Sequence, residues 1–372
     1  MSLIFTEDQL ALSRSVEAFV ARRAPLHKVR ELITARRIYD PDIWQGLSKE
    51  LGLTGLLIPE LYGGAEASRA DLSVALRALG AGLVPSPLLS SGVMAAGLLL
   101  ALDDDVVNKE SLPWIATGAL VATVAVSEGT ETPWIPITPA TTARPSGNGA
   151  TLHGTKTAVL DGSTADLLLV QATGPGGVGI YSTHRSARGV TVDIDRGVDL
   201  TRDTATIHFD NAPATPVAGD AARALDRMVD LVNLAVAAEQ VGAMRTCLDM
   251  TTVYATIRYS FGQPIGAYQG VKHKLADMYN LWALSDAALR TAATASDERL
   301  PVAAAAARAR TGPSYLTVAT NTVLLHGGIG FTWEHDAHLF YRNAIAGKSL
   351  LGGLDYQLDR LAGKLAIQEN PS

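Results

Sequence analysis

The chain has 372 residues, of which 47% are hydrophobic and 18% are charged, and its formal net charge is −6. This length exceeds the usual size of one hydrophobic core, so two or three packed units are expected. No basic face stands out, which excludes nucleic acid as an expected partner.

Cysteine usage and the apolar runs indicate the compartment. The one cysteine, Cys247, excludes an internal disulfide framework and is compatible with a reducing cytosol. The start, MSLIFTEDQL, lacks the basic and apolar regions of a signal peptide. The longest apolar runs are too short to span a bilayer. We therefore expect a cytoplasmic protein without membrane insertion, and we predict no metal site.

The first third of the chain is predicted to be helical. Thr6 stands before two acidic residues, a pattern typical of a helix N-cap followed by acids that suit the positive end of the helix. Helical periods continue beyond it and are interrupted at Gly63 and Gly64. We assign residues 1–118 to an N-terminal helical domain.

Strands are predicted in the middle of the chain and helices in the last third. Residues 119–220 contain short β-branched runs separated by Gly, Pro, Asn and Asp, which predict the strands of a barrel or sandwich. Long helical stretches fill residues 221–372. Because helices and strands do not alternate, a parallel Rossmann-type sheet is disfavoured. The predicted fold class is α+β, mainly α.

An apolar helix is predicted at residues 231–248, and Glu239 lies inside it. A carboxylate among alanines and valines loses hydration, which makes it a stronger base near neutral pH. The structural alternative is a buried glutamate paired with an arginine or lysine from another helix, and such pairs are common. Both interpretations stay open at this point.

The segment FGQPIG, which begins at Phe261, breaks the next helical run with a tight turn. Arg258 precedes the turn and offers a planar guanidinium that suits a phosphate or a carboxylate. Gln269 follows it and can both donate and accept hydrogen bonds at the edge of a heterocycle. Surface residues without a ligand would explain the same pattern.

Four motifs, in the right order along the chain, resemble the acyl-CoA dehydrogenase family, flavoproteins that oxidise acyl-CoA thioesters. They are LGLTGLLIPELYGG, LHGTKTAVLDG, R-x-x-FG-x-x-I-x-x-x-Q followed by KLADM, and HGGIGFTWEHDAHLFYRNA. HGGIGFTWEH is most similar to the actinobacterial branch, which degrades fatty acids and sterol side chains. The resemblance implies an N-terminal α-helical domain, a middle β-barrel domain and a C-terminal four-helix bundle, assembled as a tetramer.

The resemblance also implies an FAD site that is shared between subunits. In the family, the turn matching Gly327 and Gly328 lets the backbone approach the adenosine end of FAD bound by a neighbouring subunit, because residues without Cβ permit that approach. A helix C-cap is the structural alternative for these glycines. The other residues that the resemblance implies for FAD binding are Ser127, Arg258, Phe261 and Gln269.

The position of the family's usual catalytic base holds a leucine. In the family, a glutamate stands nine residues beyond the arginine that matches Arg342, and this chain has Leu351 there. Some members use a glutamate at the position that matches Val232, which carries no acid either. Glu239 lies about 10 Å further along the same helix. It is the remaining candidate for the base that removes the α-proton of the substrate.

The motifs that face the flavin are also incomplete. Ala158 and Leu160 stand where the family commonly has an indole and a hydroxyl group, and Leu324 replaces a frequent glutamine. The joint loss of these polar contacts indicates a weakened flavin site. It fits the α2β2 heterotetramers of the actinobacterial branch, in which two unlike homologous subunits hold fewer flavins than chains.

The sequence therefore predicts flavin-dependent α,β-dehydrogenation of an acyl-CoA, either a fatty-acyl or a sterol side-chain thioester. The enzyme would be a homotetramer or a heterotetramer with a homologous subunit, reoxidised by an electron-transfer protein. Two alternatives remain. The chain could be a non-catalytic structural partner of a catalytic homologue, or a flavin-dependent monooxygenase or nitroalkane-type oxidase of the same fold.

Overall fold

Helices fill the first third of the chain. The structure is a computed structural model that describes residues 5–129, 134–147 and 149–369. Helices α1 to α6 are Glu7–Arg23, Leu26–Thr34, Pro41–Gln45, Arg69–Ala81, Ala96–Leu102 and Asp105–Ala116. Short π-helical or 3-10 segments lie between them at Gly46–Glu50, Leu53–Gly55, Glu60–Tyr62 and Leu88–Ala95.

Thr6 caps α1, as its sequence context predicts. Its hydroxyl accepts a hydrogen bond from the backbone N–H of Gln9 at 3.2 Å, and the Gln9 side chain accepts one from the N–H of Thr6 at 3.0 Å. Two free N–H groups of the helix start are thereby satisfied. Gly63, where we predicted a break, has a left-handed φ of 77° and ends a 3-10 turn.

The strands of the middle third close into a barrel. Within the described residues, seven strands form one sheet. Strands β1 to β7 are Ala122–Ala125, Thr142–Ser146, Gly149–Leu160, Leu167–Gly174, Gly177–His184, Val190–Ile194 and Thr204–Val217. The ring runs β4, β2, β3, β7, β5 and back to β4, with β1 on β4 and β6 on β7. The barrel predicted from the strand pattern is confirmed.

The last third is helical apart from one small hairpin. Its elements are α7 Ala221–Ile257, β8 Tyr259–Ser260, β9 Gln263–Pro264, α8 Gln269–Ala293, α9 Leu300–His326, α10 Ala337–Gly347 and α11 Leu354–Glu369. Helices α7, α8, α9 and α11 form the bundle, and α7 also packs against α4. The predicted fold class is therefore confirmed.

The predicted domain boundaries at 118/119 and 220/221 stay predictions. The element types change close to them, since α6 ends at Ala116 and β1 begins at Ala122, while β7 ends at Val217 and α7 begins at Ala221. One apolar core nevertheless runs through the helices and the barrel. In the described part of the chain, no helix is long and apolar enough to cross a membrane.

Candidate functional site

Glu239 is ion-paired with Arg202. The guanidinium donates a hydrogen bond from Nη2 to Oε2 of the carboxylate. The Arg202 side chain is only 19% exposed, and the Glu239 side chain is only 16% exposed. We considered a partner on another helix as the structural alternative, and that part of the interpretation is wrong, because Arg202 lies on the connection between β6 and β7. The pair therefore joins the barrel to α7.

A hydrogen-bonded network holds Arg202 in this position. Its Nε lies 3.7 Å from Oδ2 of Asp199, and the same oxygen accepts a hydrogen bond from Asn343 of α10 at 2.8 Å. Thr201 donates to the other oxygen of Asp199 from its N–H and its hydroxyl. Burial works against the charge of Arg202, but Glu239 and Asp199 raise its pKa above the ordinary value. Arg202 is thus a fixed cation.

The space beside this ion pair is a small polar cavity. Its volume is about 30 Å³, room for one or two water molecules. Asp161 lines it and accepts a hydrogen bond from the hydroxyl of Ser90 at 2.6 Å. Burial raises the pKa of Asp161 to about 7. The other lining residues are Ile38, Leu79, Gly80, Leu83, Val84, Ser86, Leu160, Thr201, Arg202, Asp203, Glu239 and Asn343.

Helices α4 and α7 touch backbone to backbone next to Glu239. A Cβ added to Gly80 of α4 would overlap the backbone of Glu239. One added to Gly242 of α7 would overlap the carbonyl oxygen of Arg77. Because glycine carries no side chain, the two helices approach more closely here than any other residue would allow.

Both positions that hold a base in the family are filled by buried apolar side chains. Val232 is 1% exposed and Leu351 is 6% exposed. Arg308 fixes the segment before Leu351 by donating to the carbonyl oxygens of Gly347 at 2.9 Å and Leu350 at 3.1 Å. Burial lowers the pKa of Arg308 to about 10. Neither position offers a proton acceptor.

The five predicted cofactor-binding residues of the last third lie at one end of the bundle. Arg258 directly follows α7, Gln269 begins α8, and Gly327 and Gly328 directly follow α9. The ends of α7 and α9 meet where the hydroxyl of Tyr254 donates to the carbonyl oxygen of His326 at 3.3 Å. The β8–β9 hairpin, which carries Phe261, connects α7 to α8. This surface is called the bundle end below.

Two observations show that the bundle end is open in the isolated chain. The side chain of Phe261 is 97% exposed, although its backbone has a left-handed φ of 49°. A bulky residue rarely adopts that conformation. A Cβ on Gly328 would meet no heavy atom within 4 Å. Among the residues that the structure describes, none therefore requires glycine at position 328.

The other glycines of GG-x-G have reasons within the chain. Gly327 caps the C-terminus of α9 with a φ of 63° and a ψ of −144°, so the C-cap of our structural alternative is present, but outside the left-handed helical conformation. Gly330 is buried, and an added Cβ would lie 2.6 Å from the carbonyl oxygen of Val323. The close approach of the adenosine end of FAD to this turn stays a prediction, and it depends on Gly328.

Ser127 lies apart from the bundle end. It follows β1, and its hydroxyl is 3.4 Å from the hydroxyl of Thr157 in β3. Among the described contacts, none connects Ser127 to the bundle end. Ala158 is exposed in a bulge of β3, and Leu160 faces the cavity instead of an outer surface. Of the barrel positions that the family uses, only Ser127 offers a polar group.

Sequence reasoning missed two residues that shape these regions. Arg202 lies in the segment DLTRD, and no periodicity or motif distinguishes it. Trp333 lies in the motif HGGIGFTWEHDAHLFYRNA, but the sequence predicts no role for it. It is 55% exposed, its ring packs edge-on against His338 at 4.6 Å, and the guanidinium of Arg342 lies 5.5 Å from its centre. The only available signal was the cluster of aromatic residues directly after the glycines.

Comparisons with known proteins identify the class. The family model of the acyl-CoA dehydrogenase C-terminal domain matches residues 226–366, and that of the N-terminal domain matches residues 6–119. Acyl-CoA dehydrogenase IpdE2 of Mycolicibacterium smegmatis is 31% identical over 97% of this chain and 99% of its own length. Helices, a strand barrel and a helical bundle, with these matches, define the class of the acyl-CoA dehydrogenases.

Two solved structures resemble the whole chain. The ChsE4-ChsE5 complex from Mycobacterium tuberculosis has a TM-score of 0.90 and 28% identity over 100% of both chains. The steroid ACAD Tcur3481-Tcur3483, in its G363A variant, has a TM-score of 0.86 and 29% identity over 98% of this chain and 99% of its own. The chain belongs to the acyl-CoA dehydrogenase family.

Proposed function

We propose that the chain is one subunit of a heteromeric, FAD-dependent acyl-CoA dehydrogenase and that its bundle end completes a flavin site with a homologous subunit. The single observation that carries this proposal is the open space at Gly328, next to an exposed arginine and exposed aromatic residues. The ChsE4-ChsE5 complex supports a heteromeric assembly.

The residues of the bundle end fit the adenosine diphosphate part of FAD. The exposed guanidinium of Arg258 suits a phosphate, and Gln269 can bond the edge of a heterocycle. Phe261 offers an exposed aromatic face. The bare backbone at Gly328 permits close approach of the cofactor. Ser127 would contact the ring system of a flavin bound at the barrel.

The chemistry is the α,β-dehydrogenation of an acyl-CoA. The bound FAD would supply the hydride acceptor for the β-hydrogen, and a carboxylate would remove the α-proton. Because this chain has Val232 and Leu351 at both family base positions, the homologous subunit would supply that carboxylate. The proposed substrate is a sterol side-chain or fatty-acyl thioester, and the similarity to the steroid ACAD Tcur3481-Tcur3483 supports the sterol side chain. An electron-transfer protein would reoxidise the flavin.

The second candidate keeps the catalytic base in this chain. Glu239 lines a cavity between α4, α7 and the barrel, so it would act there if Arg202 released it. Glutamate would then exchange its guanidinium partner for the α-proton of the substrate. The buried ion pair and the small cavity favour the first candidate. The oxidase alternative stays a prediction.

Replacing Gly328 with valine tests the shared flavin site. We expect Gly328→Val to leave the unfolding temperature of the isolated chain unchanged, because no atom lies within 4 Å of the added Cβ. The FAD content of the assembled enzyme should fall at least about tenfold, the loss that follows from about 1.4 kcal/mol of lost binding. Flavin absorbance at equal protein concentration measures it.

The control is Gly176→Val, which also adds a side chain into open space but lies at the turn between β4 and β5. It should change neither the FAD content nor the unfolding temperature. Full FAD content in the Gly328→Val assembly would contradict the proposed role of the bundle end.

A further inference from the structure

Two features of the packing keep an acyl chain from Glu239. The first is the contact between α4 and α7. The backbones of the helices are in contact at Gly80 and Gly242, so closely that not even a methyl group fits at either glycine. A hydrocarbon chain cannot pass there unless the helices separate.

Arg202 is the second feature, because its side chain lies between α7 and the barrel. Its guanidinium donates a hydrogen bond to the carboxylate of Glu239 and also forms an ion pair with Asp199. Asp199 is in turn bonded to Asn343 of α10 and to Thr201. Withdrawal of Arg202 would leave an unpaired, largely buried carboxylate, which is strongly unfavourable. The side chain is therefore a fixed part of the wall.

The remaining space is too small and too polar for an acyl group. Its volume of about 30 Å³ is roughly a tenth of that of the smallest usual ligand pockets. Asp161, Arg202, Asp203 and Glu239 all line it. A hydrocarbon placed among these groups would remove water from charges without replacing its hydrogen bonds.

We infer that Arg202 permanently closes the cavity beside Glu239, so that this chain takes part in dehydrogenation without binding an acyl chain at that place. The inference rests on the proposed function, and it assigns a role to Arg202. Glu239 is the anchor of Arg202 and holds the barrel against α7.

A double-mutant cycle in the isolated chain tests the ion pair. Removing one partner of a buried pair leaves an uncompensated charge, whereas replacing both can be nearly neutral. We expect Arg202→Gln and Glu239→Gln each to lower the unfolding temperature by about 5 °C or more. The double variant should unfold at a higher temperature than either single variant. Effects that simply add would overturn the inference.

Arg196→Gln is the matched control, because Arg196 lies on the same β6–β7 connection and is exposed. The substitution should leave the unfolding temperature unchanged. If a single variant does not fold, the double variant still shows whether the two charges are coupled. A coupled pair requires that the double variant be more stable than the single variants.

Flavin reduction by octanoyl-CoA in the assembled enzyme tests the role of Glu239. We expect the Arg202→Gln/Glu239→Gln double variant to be at least as active as either single variant. The double substitution recovers stability because it removes both charges of the pair, and it costs no activity if Glu239 is not the base. If Glu239 were the base, the double variant would be as inactive as Glu239→Gln and less active than Arg202→Gln. A turnover loss of about 100-fold in every variant that carries Glu239→Gln, with normal FAD content, would overturn the inference.

The two proposals fail in different ways. If no assembly of the wild-type chain binds FAD or reduces it with an acyl-CoA, the proposed function fails, while the thermal cycle in the isolated chain still decides whether Arg202 and Glu239 are coupled. If the assembly is active and Glu239→Gln abolishes turnover with normal FAD content, the closure of the cavity and the assignment of the base to the homologous subunit are refuted, while the shared flavin site stands.

Discussion

Two regions along α7 differ in almost every physical property. Around Glu239, the helix is enclosed by α4 and the barrel, its carboxylate is paired with Arg202, and glycines bring backbones into contact. At Arg258, the helix ends in an exposed hairpin, and Phe261 and Trp333 face solvent. The first region satisfies its polar groups within the chain, whereas the second leaves its apolar and basic groups without a cover.

The difference teaches where an outside group can bind. Apolar side chains exposed together, beside a guanidinium and bare backbone, are typical of a surface that another molecule covers. A paired and enclosed carboxylate is typical of a structural ion pair. The bundle end, where the sequence motifs predict a site, is thus accessible, whereas the cavity beside Glu239 is not.

The largest expected effect concerns the buried acid of the closed region. Asp161 has its pKa raised by burial from 3.8 to about 7, so the folded chain keeps a proton there that the unfolded chain releases near pH 4. Between about pH 4 and pH 7 the folded state binds more protons, and its stability falls as pH rises. This group should contribute up to about 4 kcal/mol to that fall.

Asp161→Asn should remove this contribution, so urea unfolding of the variant will depend less steeply on pH in this window. The exposed Asp210 provides the comparison, since Asp210→Asn should leave the pH dependence as it is. Identical slopes for the wild type and Asp161→Asn would show that this acid is ionised in the folded chain and that its surroundings are hydrated.

The second effect concerns the contact between α4 and α7. Gly242→Leu places a side chain where the carbonyl oxygen of Arg77 lies, so the helices must separate. We expect the free energy of unfolding to fall by about 3 kcal/mol. Gly363→Ala in α11 is the control, since its Cβ meets no atom within 4 Å. It should stabilise the chain by about 0.5–1 kcal/mol. Equal stabilities for both variants would refute the close packing.

The third effect concerns the open region. Phe261→Ser should change the free energy of unfolding of the isolated chain by less than about 0.5 kcal/mol, because the side chain is 97% exposed. The dissociation constant of the Phe261→Ser variant from a homologous subunit should rise about tenfold or more. Ile137→Ser removes a comparably exposed apolar side chain from outside the bundle. If both substitutions weaken assembly equally, Phe261 has no special place in the interface.

The fold could be predicted because it follows from local patterns. Helix caps, the change from helical period to short β-branched runs, and the FGQPIG turn located the elements, and α7 ends at Ile257 just before that turn. Strand β2, Thr142–Ser146, was not predicted. It contains proline, arginine and serine, and it is a strand because its pairing with β3 outweighs its weak propensity.

The candidate site could be predicted only in part. Motifs brought Arg258 and Gly328 to attention, and both lie at the bundle end. The pairing of Glu239 with Arg202 joins residues 37 positions apart, on elements whose relative placement depends on the whole fold. Sequence pattern shows that Glu239 is surrounded by apolar residues in its own helix, but not which side chain of the barrel reaches it.

The most direct test of a flavin site shared with a homologous subunit is the ratio of FAD to chain, measured by absorbance for the chain alone and after co-production with a homologous subunit. The account predicts a colourless isolated chain and a yellow, active assembly with fewer flavins than chains. One FAD per chain in the isolated protein, with acyl-CoA turnover that depends on Glu239, would contradict it.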